Sequence, residues 1–349
     1  MTKNQREFDI ESYQALRAPA IDEVCDKFYQ RYPQLLETFG ERGVKATRQD
    51  IGYTLDFLRP ALEFGQLQPF TDYLAWLAEV LTSRGVAVGM VQDMLEWLAQ
   101  FFAARAPKEL GALAAGALRE SMAALQVRIA GESPIDRCMP EAWPDTLPME
   151  QALLAGDLER ARAIVKAQRA AGNSILDIEI HLIQTALYQV GRDWQQNKVT
   201  VAQEHLATST AIALMAAEFD AHDIGEANGK SVICACIEGN NHEVGLRILA
   251  DAFTVNGWDV IYLGRNCPVA DLMQSVRDSA PNLVCLSISM ADQLPTARWV
   301  INQLRSTLGG QGPAIMIGGL AVNAHPPISG ELGADLTAPD ARSAILSAA

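Results

Sequence analysis

From Ser231 to the C-terminus the chain alternates short β-prone runs, SVICACI, DVIYL, NLVCLSIS and AIMIGG, with stretches of helical periodicity. Strand, helix and next strand form the repeating unit of a parallel sheet, because parallel neighbours need a long crossover and a helix supplies it. The pattern predicts a doubly wound parallel sheet over residues 229–349. Such a sheet takes ligands in the crevice beyond the carboxyl ends of its strands, so the loops that follow these runs are where chemistry belongs.

Upstream the sequence reads differently. A chain of 349 residues exceeds one hydrophobic core, so more than one domain is expected. Apolar residues recur at helical spacing in IGYTLDFLRPALEFG, FTDYLAWLAEVLTSRG, VGMVQDMLEWLAQFFAARA and LGALAAGALRESMAALQVRIA, with Gly65, Pro69, Gly85 and Pro107 as stops. This predicts an all-helical domain over residues 1–132. The polar stretch around Pro134, Pro140, Pro144 and Pro148 is expected to be a linker over 133–148. A second helical block follows over 149–228.

Composition narrows the function. The chain is 49% hydrophobic and 20% charged, which suits a folded protein. No apolar run approaches the ~20 residues of a membrane-spanning helix. The N-terminal MTKNQREFDIESYQ has no apolar core of a signal peptide, so a cytoplasmic protein without membrane association is expected. A net charge of −14 without a basic stripe opposes direct nucleic-acid binding, which depends on Lys and Arg neutralising phosphates. The six cysteines form no C-x-x-C pair, and they read as reduced and mostly buried.

The loop after the first predicted strand is Glu238-Gly239-Asn240-Asn241-His242-Glu243-Val244-Gly245. A histidine there can project into the crevice, and glycines allow a bulky ligand close to the backbone. By itself, His242 reads more readily as a histidine capping the next helix. The third strand ends in Ser287-Ile288-Ser289, which offers hydroxyls on the same edge. The fourth ends in Gly318-Gly319, a pair that leaves a slot free of side chains. Together these loops describe a long ligand entering the sheet edge with a nitrogen ligand at its mouth.

Asn240-x-His242-x-x-Gly245, then Ser287, then Gly318-Gly319 resembles the D-x-H-x-x-G, S-x-L, G-G series of cobalamin-binding domains. These occur in methionine synthase, corrinoid methyltransferase partners and light-responsive repressors of the CarH type. The stretch around Gly264, Tyr262 to Pro268, is similar to the same family. The resemblance implies a flavodoxin-like fold. It also implies that His242 displaces the cofactor's own base as axial ligand to cobalt, with the released tail beside Ser287, Ser289 and the glycine pair. Asn240 departs from the family, where an acidic residue often hydrogen-bonds the histidine.

In the second helical block, Trp194 and Glu204-His205 form a W-x9-E-H pattern that resembles the helical cap of the CarH-type photoreceptors. The resemblance implies that the tryptophan and glutamate pack against an upper adenosyl group, with His205 a further residue on that side. In those repressors a histidine directly after the tryptophan takes the cobalt once light has removed adenosyl. Here that position is Gln195, which puts such a photoproduct in doubt.

The domain over 1–132 lacks the basic helix-turn-helix of the repressors. All five histidines lie beyond residue 180, so a histidine-ligated haem is excluded from it. Its rings, among them Phe57, Phe64, Phe70, Tyr73, Trp76, Trp97, Phe101 and Phe102, read either as ordinary core or as the lining of a pocket for a flat chromophore. In the second reading Arg48, Arg59 or Arg84 would pair with propionates. The order of domains is similar to that of the photocobilins, which implies biliverdin as a second chromophore; Cys25 is a candidate for covalent attachment or simply core.

The combined expectation is a non-enzymatic light sensor that uses adenosylcobalamin, and biliverdin as second pigment. It would act as a homo-oligomer, dimer or tetramer, whose state depends on light, through a downstream protein the sequence leaves unidentified. A corrinoid carrier for methyl transfer and a non-photochemical cobalamin sensor are the rival readings.

Overall fold

A computed structural model describes residues 8–129, 131, 133–308 and 312–349. Residues 1–7, the head of the segment read as lacking a signal sequence, lie outside the described residues. The chain divides into two compact units, Met1–Ser133 and Pro134–Ala349.

The first unit is built from helices α1 Ile10–Arg31, α2 Pro33–Phe64, α3 Gln68–Ser83, α4 Val88–Arg105 and α5 Lys108–Ile129. Within α2 the backbone leaves helical geometry at Gly40, and Gly65 ends the helix in the left-handed conformation that favours glycine. Leu55, Leu58, Phe70, Leu95, Leu98 and Leu118 are fully buried. The aromatic rings pack on one another: Phe57 stacks on Tyr73 at 3.9 Å between centroids, and Tyr13 on Phe102 at 5.5 Å. The buried Tyr13 hydroxyl donates to the Leu55 carbonyl at 2.7 Å, as a buried phenol requires.

The arginines considered for propionates already have protein partners. Arg48 pairs with Asp22, Arg59 with Glu63, and Arg84 donates to the Val80 carbonyl. Cys25 is buried. These observations favour ordinary core over a chromophore lining for the residues concerned.

The second unit begins with α6 Pro134–Cys138, α7 Thr146–Leu154, α8 Leu158–Ala170 and α9 Ile175–Ile178. A π-helical turn over Glu179–Gln184 continues into α10 Thr185–Gln195, and α11 Val201–Glu218 completes the cap. Much of the expected linker is therefore structured. The Trp143 ring stacks on His181 at 5.6 Å, and the Trp143 N–H donates to the His181 carbonyl. Its prolines mark the starts of short helices as readily as they mark a tether.

The α/β part runs β1 Ser231–Cys236, α12 Val244–Val255, β2 Asp259–Gly264, α13 Val269–Ser279, β3 Leu283–Ser287 and α14 Leu294–Leu308. It then continues through β4 Ala314–Gly318, α15 Leu320–Asn323, α16 Ser329–Leu332, β5 Leu336–Thr337 and α17 Ala341–Ala348. The sheet order is β2-β1-β3-β4-β5 with every pairing parallel. This is the flavodoxin-like doubly wound order, and its winding reverses between β1 and β3, which opens the ligand crevice at their carboxyl ends. The interior of β1 is buried on both faces, which explains the uninterrupted apolar run VICACI.

Cap and sheet share a core. Met149, Leu153, Ile178, Leu182, Leu214 and Met215 of the cap pack in one cluster with Ile248 and Ala252 of α12 and Ala341 of α17. Among the described residues no helix is long and apolar enough to cross a membrane.

Candidate cofactor site

Register fixes the floor of the crevice. Cys236 at the end of β1 lies opposite Ser287 at the end of β3, and Ser287 opposite Gly318 at the end of β4. The His242 loop, the Ser287–Ser289 segment and the Gly318-Gly319 pair are thereby brought to one sheet edge.

Asn240 is the anchor of the first loop. It is wholly buried, its Nδ2 donates to the Ser287 carbonyl at 2.9 Å, and its Oδ1 accepts the His242 backbone N–H at 3.0 Å. Its carbonyl accepts the Asn266 N–H at 2.8 Å. Asn240 thus positions the main chain of His242 and leaves the ring to other partners. Asn240→Ala is expected to cost about 2–4 kcal/mol, because two buried backbone groups lose their partners. A urea melt with and without cobalamin checks this, and the loss should include weaker cofactor binding.

His242 itself stands in the loop at this edge. Its side chain is solvent-accessible, and among the described residues neither ring nitrogen has a hydrogen-bond partner. The protein around it still desolvates the ring and pushes the imidazole below its usual pKa, while the Glu204 carboxylate pulls weakly the other way. Burial thus favours the neutral ring, and a neutral imidazole nitrogen carries the lone pair a metal needs. The next residue, Glu243, accepts a hydrogen bond from the Tyr262 hydroxyl at 3.2 Å.

The cysteines of the edge offer no competing ligand. Burial pushes the Cys236 thiol up to about 12 and raises Cys267 as well, so both stay protonated.

The glycines separate into two kinds. Around Gly245 and Gly239 a side chain would meet nothing within 4 Å, so the backbone there is open to a large ligand. Gly319 differs: it has φ +99°, and a Cβ would lie 2.4 Å from the Ile288 carbonyl oxygen. A Cβ on Gly318 would lie 3.0 Å from the Ala338 carbonyl oxygen. The sequence reading saw a slot for a ligand there. On the side where a Cβ would stand, the structure places the protein's own backbone, stitched by Ile288 N–H to the Gly318 carbonyl at 2.9 Å. Gly264 has φ +71° and closes against Glu243 and Tyr262.

The W-x9-E-H spacing has a simple structural origin. Trp194 stands half-buried in the last turn of α10, a tight turn through Asn197 at φ 58° follows, and Glu204 stands in the first turn of α11. Thr200 and Gln203 form a reciprocal cap that fixes the start of α11. Tryptophan and glutamate therefore share one end of the bundle. His205 Nδ1 donates to Glu204 Oε2 at 2.5 Å and the ring is largely exposed, and Glu204 Oε1 accepts the Thr208 hydroxyl.

Two positioning residues escaped the sequence reading. The buried Gln293 accepts the Ser289 and Met290 N–H groups and donates to the Gly239 carbonyl, tying the loop after β3 to that after β1. Asn266, at φ 47°, accepts the Gly239 N–H at 2.8 Å. Only the left-handed preference of asparagine hinted at the second.

A parallel sheet that reverses its winding beside a helical cap, with one neutral imidazole at the reversal, defines a cofactor-binding class. Residues 230–346 match the family model described as the B12 binding domain, and residues 148–217 match a second model of the same description. The chain is similar to the HTH-type transcriptional repressor CarH of Myxococcus xanthus, 27% identical over 217 residues that span 62% of this chain and 71% of the repressor. It is also similar to dimethylamine corrinoid protein 1 of Methanosarcina acetivorans, 24% identical over 168 residues, 48% of this chain and 78% of that protein. A solved structure, the Methanosarcina barkeri monomethylamine corrinoid protein, aligns with a TM-score of 0.49 at 20% identity, covering 58% of this chain and 95% of that one. The two model matches and the named relatives support a cobalamin-binding family, with cobalamin as the class of cofactor. Both matches lie beyond residue 147.

The residues present fit that group. A ring such as corrin brings most of cobalt's donors with it, and His242 would supply a single further nitrogen from a loop whose Gly239 and Gly245 leave open space.

Proposed function

We propose that the protein is a light sensor that holds adenosylcobalamin between its cap and the carboxyl edge of its sheet, with His242 as the lower axial ligand. The observation that carries this reading is the buried core that the cap shares with α12, the helix that starts directly after the His242 loop. Bound adenosylcobalamin supplies a cobalt–carbon bond that visible light breaks.

The chain's own residues do the rest. Trp194 and Glu204 wall the upper side and favour a bulky upper group, and the core shared between cap and α12 transmits a change of cap packing to the sheet. Repacking alters the state of a homo-oligomer, dimer or tetramer, and through it a downstream protein. Gln195 stands where the repressors carry their second histidine, so no imidazole comes from that position, and His205 is the further residue on the upper side. The protein catalyses no reaction of its own.

Biliverdin as second pigment rests on the order of domains. Adding the pigment and looking for a bound red-absorbing band tests it, and free pigment would end it.

The rival favoured by an observation is a corrinoid carrier, since corrinoid proteins stand among the relatives. Loading separates the two. The light-sensor reading expects preference for adenosylcobalamin over methylcobalamin, and a change of both spectrum and elution volume under green light. Preference for methylcobalamin would favour the carrier. Spectral change at constant elution volume would remove light-driven assembly.

A further inference from the structure

Glu179 sits in the π-helical turn of the cap, wholly buried, and neither of its carboxyl oxygens has a hydrogen-bond partner among the described residues. Its neighbours Ile178, Ile180, Leu182 and Ile183 belong to the core shared with α12, so this is the interior of the cap–sheet junction. Across the junction both carboxyl oxygens of the buried Asp251 of α12 share the Arg247 Nε–H, at 3.0 and 2.9 Å. Glu179 and Asp251 are thus buried carboxyl groups on the two sides of this junction, Arg247 is hydrogen-bonded to Asp251 alone, and an unpaired charge in such a place is costly.

A proton resolves the conflict. It removes the charge of Glu179 and turns one of its oxygens into a donor toward Asp251. π-Helical turns also occur frequently at functional positions.

We propose that Glu179 and Asp251 share one proton across the junction between cap and α12, and that losing this proton loosens the cap from the sheet. The position has a consequence for the cofactor site. Arg247 and Asp251 lie on the helix that starts directly after the His242 loop, and the Arg247 guanidinium lies 5.8 Å from the centre of the Tyr262 ring. The hydroxyl of Tyr262 holds Glu243. Cap packing and the loop are thus joined through one helix, whatever the cofactor proves to be.

The charges that face Glu179 are Asp251 and Arg247 on α12 and Asp223 in the turn after α11, the last paired with Arg169 of α8. On its own segment Asp177 pairs with Arg342 of α17. Burial first, and then Asp251, push Glu179 far above the ordinary carboxylate range, with Arg247 opposing. A carboxyl raised in the folded state binds more protons folded than unfolded between its two pKa values. Stability therefore falls as pH rises through that interval, from the ordinary 4.5 to about 9.

The test uses the full chain and the isosteric variant Glu179→Gln. In infrared difference spectra at pH 7, the parent should show a protonated-carboxyl carbonyl band that the variant lacks; subtracting one from the other removes the contributions of Asp50 and Glu150, which are also raised by burial. The band should vanish as the parent is taken to about pH 10, and amide exchange in α12 and the π-helical turn should then rise, corrected for the intrinsic rate. Exchange in Glu179→Gln should stay near its neutral-pH level, and its unfolding midpoint should fall with pH by less than half as much as the parent's. An absent band, or equal pH dependence of exchange in the two proteins, would overturn the proposal. If the variant does not fold, the pH titration of the parent's band and of its exchange decides alone.

Discussion

Replacing His242 by alanine is expected to weaken cobalamin binding by roughly 100-fold or more, at least the effect seen when a partner in a metal's outer shell is lost. The spectrum of whatever remains bound should return to the form in which the cofactor's own base is on the metal. The reason lies in the loop: burial favours the neutral imidazole, which is accessible and without a hydrogen-bond partner among the described residues, so its lone pair is available. The change should leave folding nearly intact, because the loop is held by the backbone N–H of residue 242 and the side chain of Asn240, and neither is altered. Titration of parent and variant with adenosylcobalamin, read by absorption, checks affinity and coordination together. Equal affinity would remove the histidine from the account.

Gly319→Ala is expected to act through the fold. Its φ of +99° with ψ 167° lies in a region that only glycine occupies at low cost, worth about 1–3 kcal/mol of strain. The added carbon would also stand 2.4 Å from the Ile288 carbonyl oxygen, a distance that forces the β3 and β4 ends apart. The combined loss should reach about 3 kcal/mol or more, read as a lower urea midpoint even in the absence of cobalamin. A ligand slot lined by Gly319 would predict the opposite pattern: normal apo stability and a loss confined to cofactor binding.

That contrast shows what the sequence could and could not disclose. The paired glycine was legible as a position without side chains, and the reason for it was not, because the Ile288 carbonyl approaches from another strand. The parallel sheet was legible because its strands, buried on both faces, read as continuous apolar runs bounded by turns. The His242 loop was legible because strand-end loops are where such a sheet binds ligands. Gln293, by contrast, is an ordinary glutamine in sequence; it becomes a bridge only when the β1 and β3 loops lie side by side. The same holds for Glu179, which helical periodicity alone would put on either face. Its burial depends on α12, more than sixty residues later in the chain. The stretch 134–148 read as a tether since its prolines and charges are local signals, whereas Trp143 against His181 is a tertiary contact.

The central claim, that the His242 imidazole replaces the nucleotide base on cobalt, has a direct spectroscopic test. Protein grown on ¹⁵N-imidazole histidine and loaded with natural-abundance cobalamin, reduced to the paramagnetic cobalt(II) form, should show superhyperfine structure that changes from triplet to doublet, because the axial nitrogen then comes from the protein. Structure that stays a triplet with labelled histidine would mean that the cofactor's own base still holds the metal, and would contradict the account.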